Sequence, residues 1–232
     1  LQFDIITPIQ GLFKQGHLWI NKDGLIETKM VFPYNSPWIF VNPAKDRDCG
    51  FWSKIMFNCY KIIPMGCMKC WKLAAKPRNL DEAFKMLTLQ RKLGLPSKTG
   101  MEQRDYSGNL GGWASIWHCS LDYGLKEAKE QYSLVKEKIQ EEVGDLPLIL
   151  KKGCTAMEKV MGPSDKWQTT EDWRIKENLI EEAFAPWPIF SPPKYLEPYV
   201  IKTWIEQAAA HGDSTYLKYC EKPIVTPIVT YN

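Results

Sequence analysis

Apolar residues change rhythm twice along this chain. From residue 1 to 58 they come in short runs between turn residues. His17-Leu18-Trp19-Ile20 and Leu25–Phe32 flank Asn21-Lys22-Asp23-Gly24, a turn chemistry that predicts a hairpin. Trp38-Ile39-Phe40-Val41, set between Pro37 and Pro43, predicts a short buried strand, and Phe51–Asn58 predicts another that runs into Cys59.

The middle of the chain alternates between strand and helix periods. Trp71–Lys76 reads as a strand. Asn79 then caps a helix, with Glu82 as its capping-box partner. Leu80, Ala83, Phe84 and Leu87 form its apolar face, and Gly94 and Pro96 end it. Met101–Tyr106 predicts a strand, residues 107–112 a turn, and Trp113–Cys119 the next strand. In that strand Trp113, Ser115, Trp117 and Cys119 share one face, while Ala114, Ile116 and His118 share the other. Ser120 is the expected cap of a long helix whose stripe runs through Leu121, Leu125, Ala128, Tyr132, Val135 and Ile139. Gly144 stops it, and Leu146–Lys151 is a strand.

The order strand, helix, strand, strand, helix, strand is the ferredoxin-like βαββαβ plan. The last third turns helical. Thr170 is the expected cap of a helix to about Ala185 that buries Ile175, Leu179, Ala183 and Phe184. A proline-rich stretch, 186–198, leads to a second helix, from about Pro198 to Ala210. The expected class is therefore α+β, in one compact unit: an N-terminal strand and hairpin segment at 1–58, a ferredoxin-like core at 59–155 and a C-terminal helical extension at 156–232.

Composition adds little until charge is mapped. Hydrophobic content of 44% and charged content of 25% are those of an ordinary soluble globular chain. No apolar run reaches the length of a membrane span, so no membrane partner is expected. The net charge of +3 hides a gradient. Residues 51–104 carry eleven Lys and Arg against three Asp and Glu. A basic patch of this kind is the electrostatic footprint of a phosphate-bearing partner, with a solvated surface as the plain alternative.

The seven cysteines change the picture most. Four of them, Cys49, Cys59, Cys67 and Cys70, fall in one short stretch, and the last two form a C-x-x-C knuckle. An odd, clustered set speaks for free and metal-bound thiols in a reducing, cytoplasmic compartment rather than for a disulfide framework. Two thiolates on one tight turn can hold half of a tetrahedral zinc site. Zinc is the expected cofactor, with Cys67, Cys70, Cys59 and Cys49 as ligands and His118 or Cys119 as a possible ligand or base. The rival occupant is an iron–sulfur cluster. Enzymes that cleave S-adenosylmethionine use C-x₃-C-x₂-C, whereas the spacing here is C-x₇-C-x₂-C.

The basic third also carries aromatic residues. Gly112–His118 is similar in part to the third-strand motif of RNA-recognition-motif domains. It matches at Gly112 and Ala114 and loosely at Trp113 and Ile116, and departs at Gly111 and Ser115. Those departures leave the family unassigned. The expected function is a metal-stapled protein that binds nucleic acid or a nucleotide through Lys69, Trp71, Lys72, Lys76, Arg78, Arg104, Trp113 and Trp117. The alternatives are a metal- or cluster-dependent enzyme acting on a nucleotide or nucleic acid, and a protein–protein interaction module. Neither a Walker A loop nor a dinucleotide fingerprint, H-E-x-x-H motif or EF-hand loop is present.

Overall fold

A computed structural model describes residues 3–29, 37–102, 112–188 and 193–225. The chain is a mixed α+β protein. The hairpin forms where its turn chemistry directs. Strand β1 (Leu18–Ile20) pairs antiparallel with β2 (Ile26–Thr28), and the Asn21 side chain accepts from the Asp23 and Leu25 amides at 3.0 Å. Residues 30–32 of the expected second strand lie outside the described residues.

Strands β3 (Trp38–Asn42), β4 (Trp71–Ala75), β5 (Ser97–Glu102), β6 (Gly112–His118) and β7 (Leu148–Lys152) make one sheet in the order β3-β5-β6-β4-β7. Every neighbouring pair is antiparallel. Helix α1 (Leu80–Leu93) joins β4 to β5, and α2 (Leu125–Glu142) joins β6 to β7. Asn79 caps α1 by accepting from the Glu82 amide at 2.9 Å, and Gly94 ends it at a φ of 62°. The Glu82 carboxylate turns to the Arg78 amide, at 2.7 Å, rather than to the cap residue.

Register decides the two faces. Leu73 pairs with Trp117 and Leu150, and Ala75 with Ser115 and Leu148, so these side chains lie on one face. That face is the core. Leu73, Ala75, Trp117 and Leu148 pack with Met86 and Leu89 of α1 and with Val135 and Ile139 of α2. Beside them, Ile39, Met101 and Trp113 pack with Val200, Trp204 and Ala208 of a C-terminal helix, Glu197–Ala210. The opposite face carries Trp38, Phe40, Ala74, Lys98, Ile116, His118, Lys72 and Lys151.

Four expectations are corrected. Residues 51–58 are helical, not a strand, with turns over Cys49–Phe51, Trp52–Phe57 and Asn58–Tyr60. Asp48 starts the run by accepting from the Phe51 amide at 3.1 Å. Phe51, Ile55 and Met56 then point into a cluster with Ile9, Leu18, Ile26 and Ile180, a spacing only a helix brings to one side. Ser120 does not cap α2. The Leu121 amide goes to Asp46 at 2.8 Å, residues 120–123 turn, and the helix begins after Gly124, whose amide donates to Glu127. The helix Glu171–Ala183 does start at its Thr170 cap, but it buries Glu177, Ile180 and the following Phe184, leaving Ile175 and Leu179 exposed. The strand expected at Met101–Tyr106 begins earlier, at Ser97, and residues 103–106 lie outside the described residues. Among the described residues no helix is long and apolar enough to cross a membrane.

Candidate functional site

Antiparallel order places the start of β4 beside the ends of β6 and β7. Cys70 precedes β4, Cys119 follows β6, and Cys154 follows the Gly153 turn after β7. The backbone ties these ends together. The Cys119 amide donates to the Trp71 carbonyl at 3.1 Å, and the Gly153 amide to the Cys70 carbonyl at 2.9 Å. Cys67 lies on the turn Met65–Met68, and the Cys70 amide closes the knuckle on the Cys67 carbonyl at 3.3 Å. Cys49 comes from the opposite direction, just after its own cap residue Asp48.

Two cations enter this thiol cluster. Arg47 donates to the Cys70 sulfur at 3.1 Å and to the Cys119 carbonyl at 2.5 Å, while Asp46 holds the same guanidinium at 2.8 and 2.9 Å. Lys72 donates to the Cys154 sulfur at 2.8 Å. The Lys72 residue is only 8% exposed. Burial alone would lower its ammonium, yet the charges of Cys154, Cys70 and Cys49 hold it above its ordinary value. An ammonium withdrawn from water needs a counter-charge, and here sulfur supplies it.

The thiols divide accordingly. The Cys67 thiol donates to Cys154, and that bond, opposed by burial and helped by Lys72, holds Cys154 well below the usual thiol range. Cys67 is pushed up by donating to Cys154 and by burial. Desolvation of the sulfur pushes Cys49, although the residue is exposed overall, and the buried Cys119 up to about 11. His118 faces the same side of the sheet as Lys72, its direct cross-strand partner. Burial, then Lys72, Lys98 and Arg47, keep its ring neutral, and its Nδ1 has no partner among the described residues.

The expected ligands separate. Cys67 and Cys70 share the knuckle, and Cys49 lies near enough to feel the charges of Lys72, Cys154 and Cys70. Cys59 instead donates to the Lys54 carbonyl at 3.3 Å, on a helical turn that packs with the N-terminal cluster. Its place beside the knuckle is taken by Cys154, which the sequence reading did not single out. Arg47 was missed as well. The signal that finds Cys154 is positional: Cys70, Cys119 and Cys154 all flank strands at one end of the sheet. As placed, no group of three or more His, Cys, Asp or Glu among the described residues already stands in metal-holding arrangement. What the structure does show is two of these sulfurs, Cys70 and Cys154, each accepting from a cation, Arg47 and Lys72.

The expected nucleic-acid surface is also redistributed. Trp113 and Trp117 are buried in the helix-side core, Trp113 edge-on to Trp204 with ring centres 5.3 Å apart, so neither offers a face to a base. The notion that their shared strand face is a platform fails because α1, α2 and the C-terminal helix cover that face. Lys72 is committed to Cys154, and Arg78 to Glu82 at 2.5 Å. Lys69 and Lys76 are exposed and Trp71 is half-buried, with the Lys152 ammonium 5.9 Å from its ring centre. Arg104 lies outside the described residues. Comparison of the chain with protein-family models, with curated proteins and with solved structures finds no match.

Proposed function

We propose that the chain is a metal–thiolate protein in which one zinc ion is held by Cys49, Cys67, Cys70 and Cys154. The observation that carries this reading is the gathering of these thiols around Lys72, a buried ammonium whose counter-charges are sulfur. Four thiolates on Zn²⁺ leave two net negative charges, and Lys72 and Arg47 each donate to one of the sulfurs. Zinc would supply an anchor common to these cysteines. The chain's residues would bring three segments to it and offset its charge. The sheet that presents them is read as a ferredoxin-like unit, supported by the order β5-β6-β4-β7 with α1 and α2 on one face. Free thiols of this kind belong in a reducing compartment.

Metal analysis of protein purified anaerobically tests the centre. The expected result is about one zinc per chain, in keeping with one tetrahedral Cys₄ site. Zinc should be lost in Cys70→Ser and Cys154→Ser and retained in Cys59→Ser. A broad absorption near about 400 nm would transfer the same ligands to an iron–sulfur cluster. Metal-free protein with Cys67 and Cys154 joined as a disulfide would overturn the reading.

A second reading concerns the sheet face away from the helices. Trp38, Phe40 and Lys98 lie together there, with the Lys98 ammonium 4.3 Å from the Trp38 ring centre and 5.4 Å from that of Phe40. Aromatic rings beside a cation suit single-stranded nucleic acid, where stacking contributes about 1–3 kcal/mol per base. A labelled oligonucleotide should bind more weakly as salt rises, and Trp38→Ala with Phe40→Ala should weaken it further. Binding indifferent to salt would remove this reading and leave the zinc centre untouched.

A further inference from the structure

Beside Cys49, the turn that carries it and the end of the helix Glu171–Ala183 line an open recess of about 280 Å³. Its walls are Phe51, Trp52, Phe184 and Trp187, with the carboxylates of Asp48 and Glu181 at its edge. The aromatic groups hold one another in place. Phe51 meets Phe184 at 5.1 Å between ring centres, at 65°, and Trp187 at 5.4 Å, at 43°. Gly50 lets the indole close in, since a Cβ there would lie 2.9 Å from Trp187 Nε1.

None of the ion pairs among the described residues includes Asp48 or Glu181. Asp48 accepts one hydrogen bond, from the Phe51 amide, and that uses one oxygen. Burial, and then the charge of Asp48, push the Glu181 carboxyl up. The aromatic recess thus presents two carboxylates at its edge and, among the described residues, no cation paired with either.

We propose that this recess binds an organic cation of the methylated-ammonium class. An inorganic divalent ion asks for six or more oxygen ligands, and aromatic walls supply none. A neutral apolar guest would strip water from both carboxylates without replacing it. A methylated ammonium satisfies both halves of the site. Its methyl groups lie against ring faces, which attract positive charge, and its charge offsets the two acids. The same chemistry comes from a free small molecule or from a methylated lysine side chain.

Choline is the probe, added to ¹⁵N-labelled protein as purified, with the Trp187 indole N–H resonance followed and assigned through Trp187→Phe. A saturable shift is expected with choline and none with its neutral isostere, 3,3-dimethylbutanol. Glu181→Gln, a change at an exposed residue that leaves the fold intact, should weaken choline at least fivefold. A peptide bearing trimethyllysine that binds more tightly than choline assigns the site to a protein partner; equal or weaker binding assigns it to a small molecule. The proposal is overturned if neither choline nor the peptide saturates, if the neutral isostere binds as well as choline, or if Glu181→Gln changes nothing.

Discussion

Lys72 carries more of the site's logic than any of the cysteines. Its stem emerges from the face of β4 away from the helices, where parity pairs it with His118 on one side and Lys151 on the other. Burial works against its charge, and the thiols, Cys154 first, favour it. Lys151 is drawn off to Glu158, and His118 stays neutral, so the ammonium of Lys72 is left to Cys154. Replacing it by Met keeps the volume and removes the charge. Lys72→Met should fold normally and bind zinc about 10–100-fold more weakly, the usual cost of losing a group bonded to a metal ligand. Competition with a chromophoric chelator measures this, and unchanged affinity would mean that the ammonium does nothing for the centre. Gly153 is the matching backbone device. Its φ of +68° and the Trp167 ring, 2.4 Å from where a Cβ would stand, leave room for glycine alone. Gly153→Ala should lower stability by about 1–3 kcal/mol in urea unfolding, because it meets a strained φ and a clash at once.

At the scale of elements, the C-terminal residues complete the first crossover helix. The Leu80 amide donates to Asp213 at 2.7 Å and the Asp81 amide to Thr215 at 3.2 Å, so two open N–H groups of α1 are satisfied from more than 130 residues away. Asp81 returns the contact by accepting from Tyr219 at 2.8 Å and from Lys218 at 3.1 Å. The Tyr219 hydrogen bond first, then Lys218 and Lys85, lower its carboxyl to about 2. A depressed carboxyl stabilises the fold above its unfolded value of 3.8 and loses that contribution as pH falls towards about 2. Thermal unfolding followed from pH 7 to 2 should therefore show an acid limb between about 4 and 2 that is shallower in Asp81→Asn, together with a lower midpoint at pH 7. An unchanged limb would mean that the carboxylate is not anchored by the C-terminal turn.

The same elements explain what was legible in the sequence. Asn79, Gly94, Thr170 and Gly144 carry local chemistry, a cap hydrogen bond or a positive φ, and each marks its helix end. Alternation in Trp113–Cys119 gave the correct two faces. It could not say which one would be covered, because that depends on where distant helices land. Phe51–Asn58 misled for a related reason: its residues favour strands, but the cluster they fill demands helical spacing. Cys154 stood 84 residues beyond Cys70 in sequence, and only the β4–β7 pairing brings them together.

On the scale of the whole molecule, the thiol centre and the core are held by different means. The sheet and its helices share an apolar layer through Leu73, Trp117, Met86, Leu89, Val135 and Ile139, all essentially out of water. The N-terminal segment has its own cluster around Ile9, Ile55, Met56 and Ile180. Between the two stand the residues that carry the thiols: Cys49 from the N-terminal side, Cys67 and Cys70 from the knuckle, Cys154 from the turn after β7. A smaller cluster of Phe57, Ile63, Cys67 and Met157 is the apolar contact at this junction. If zinc joins these segments, its removal should be felt locally first. Hydrogen exchange with and without a strong chelator tests this. The peptides covering 46–70 and 153–167 should lose protection on chelation, while β5, β6 and α1 keep theirs, because their burial does not pass through the centre. Simultaneous loss across both regions would make the metal a condition of folding for the entire chain. Loss confined to β5 and β6 would place the link elsewhere and sink the staple as described.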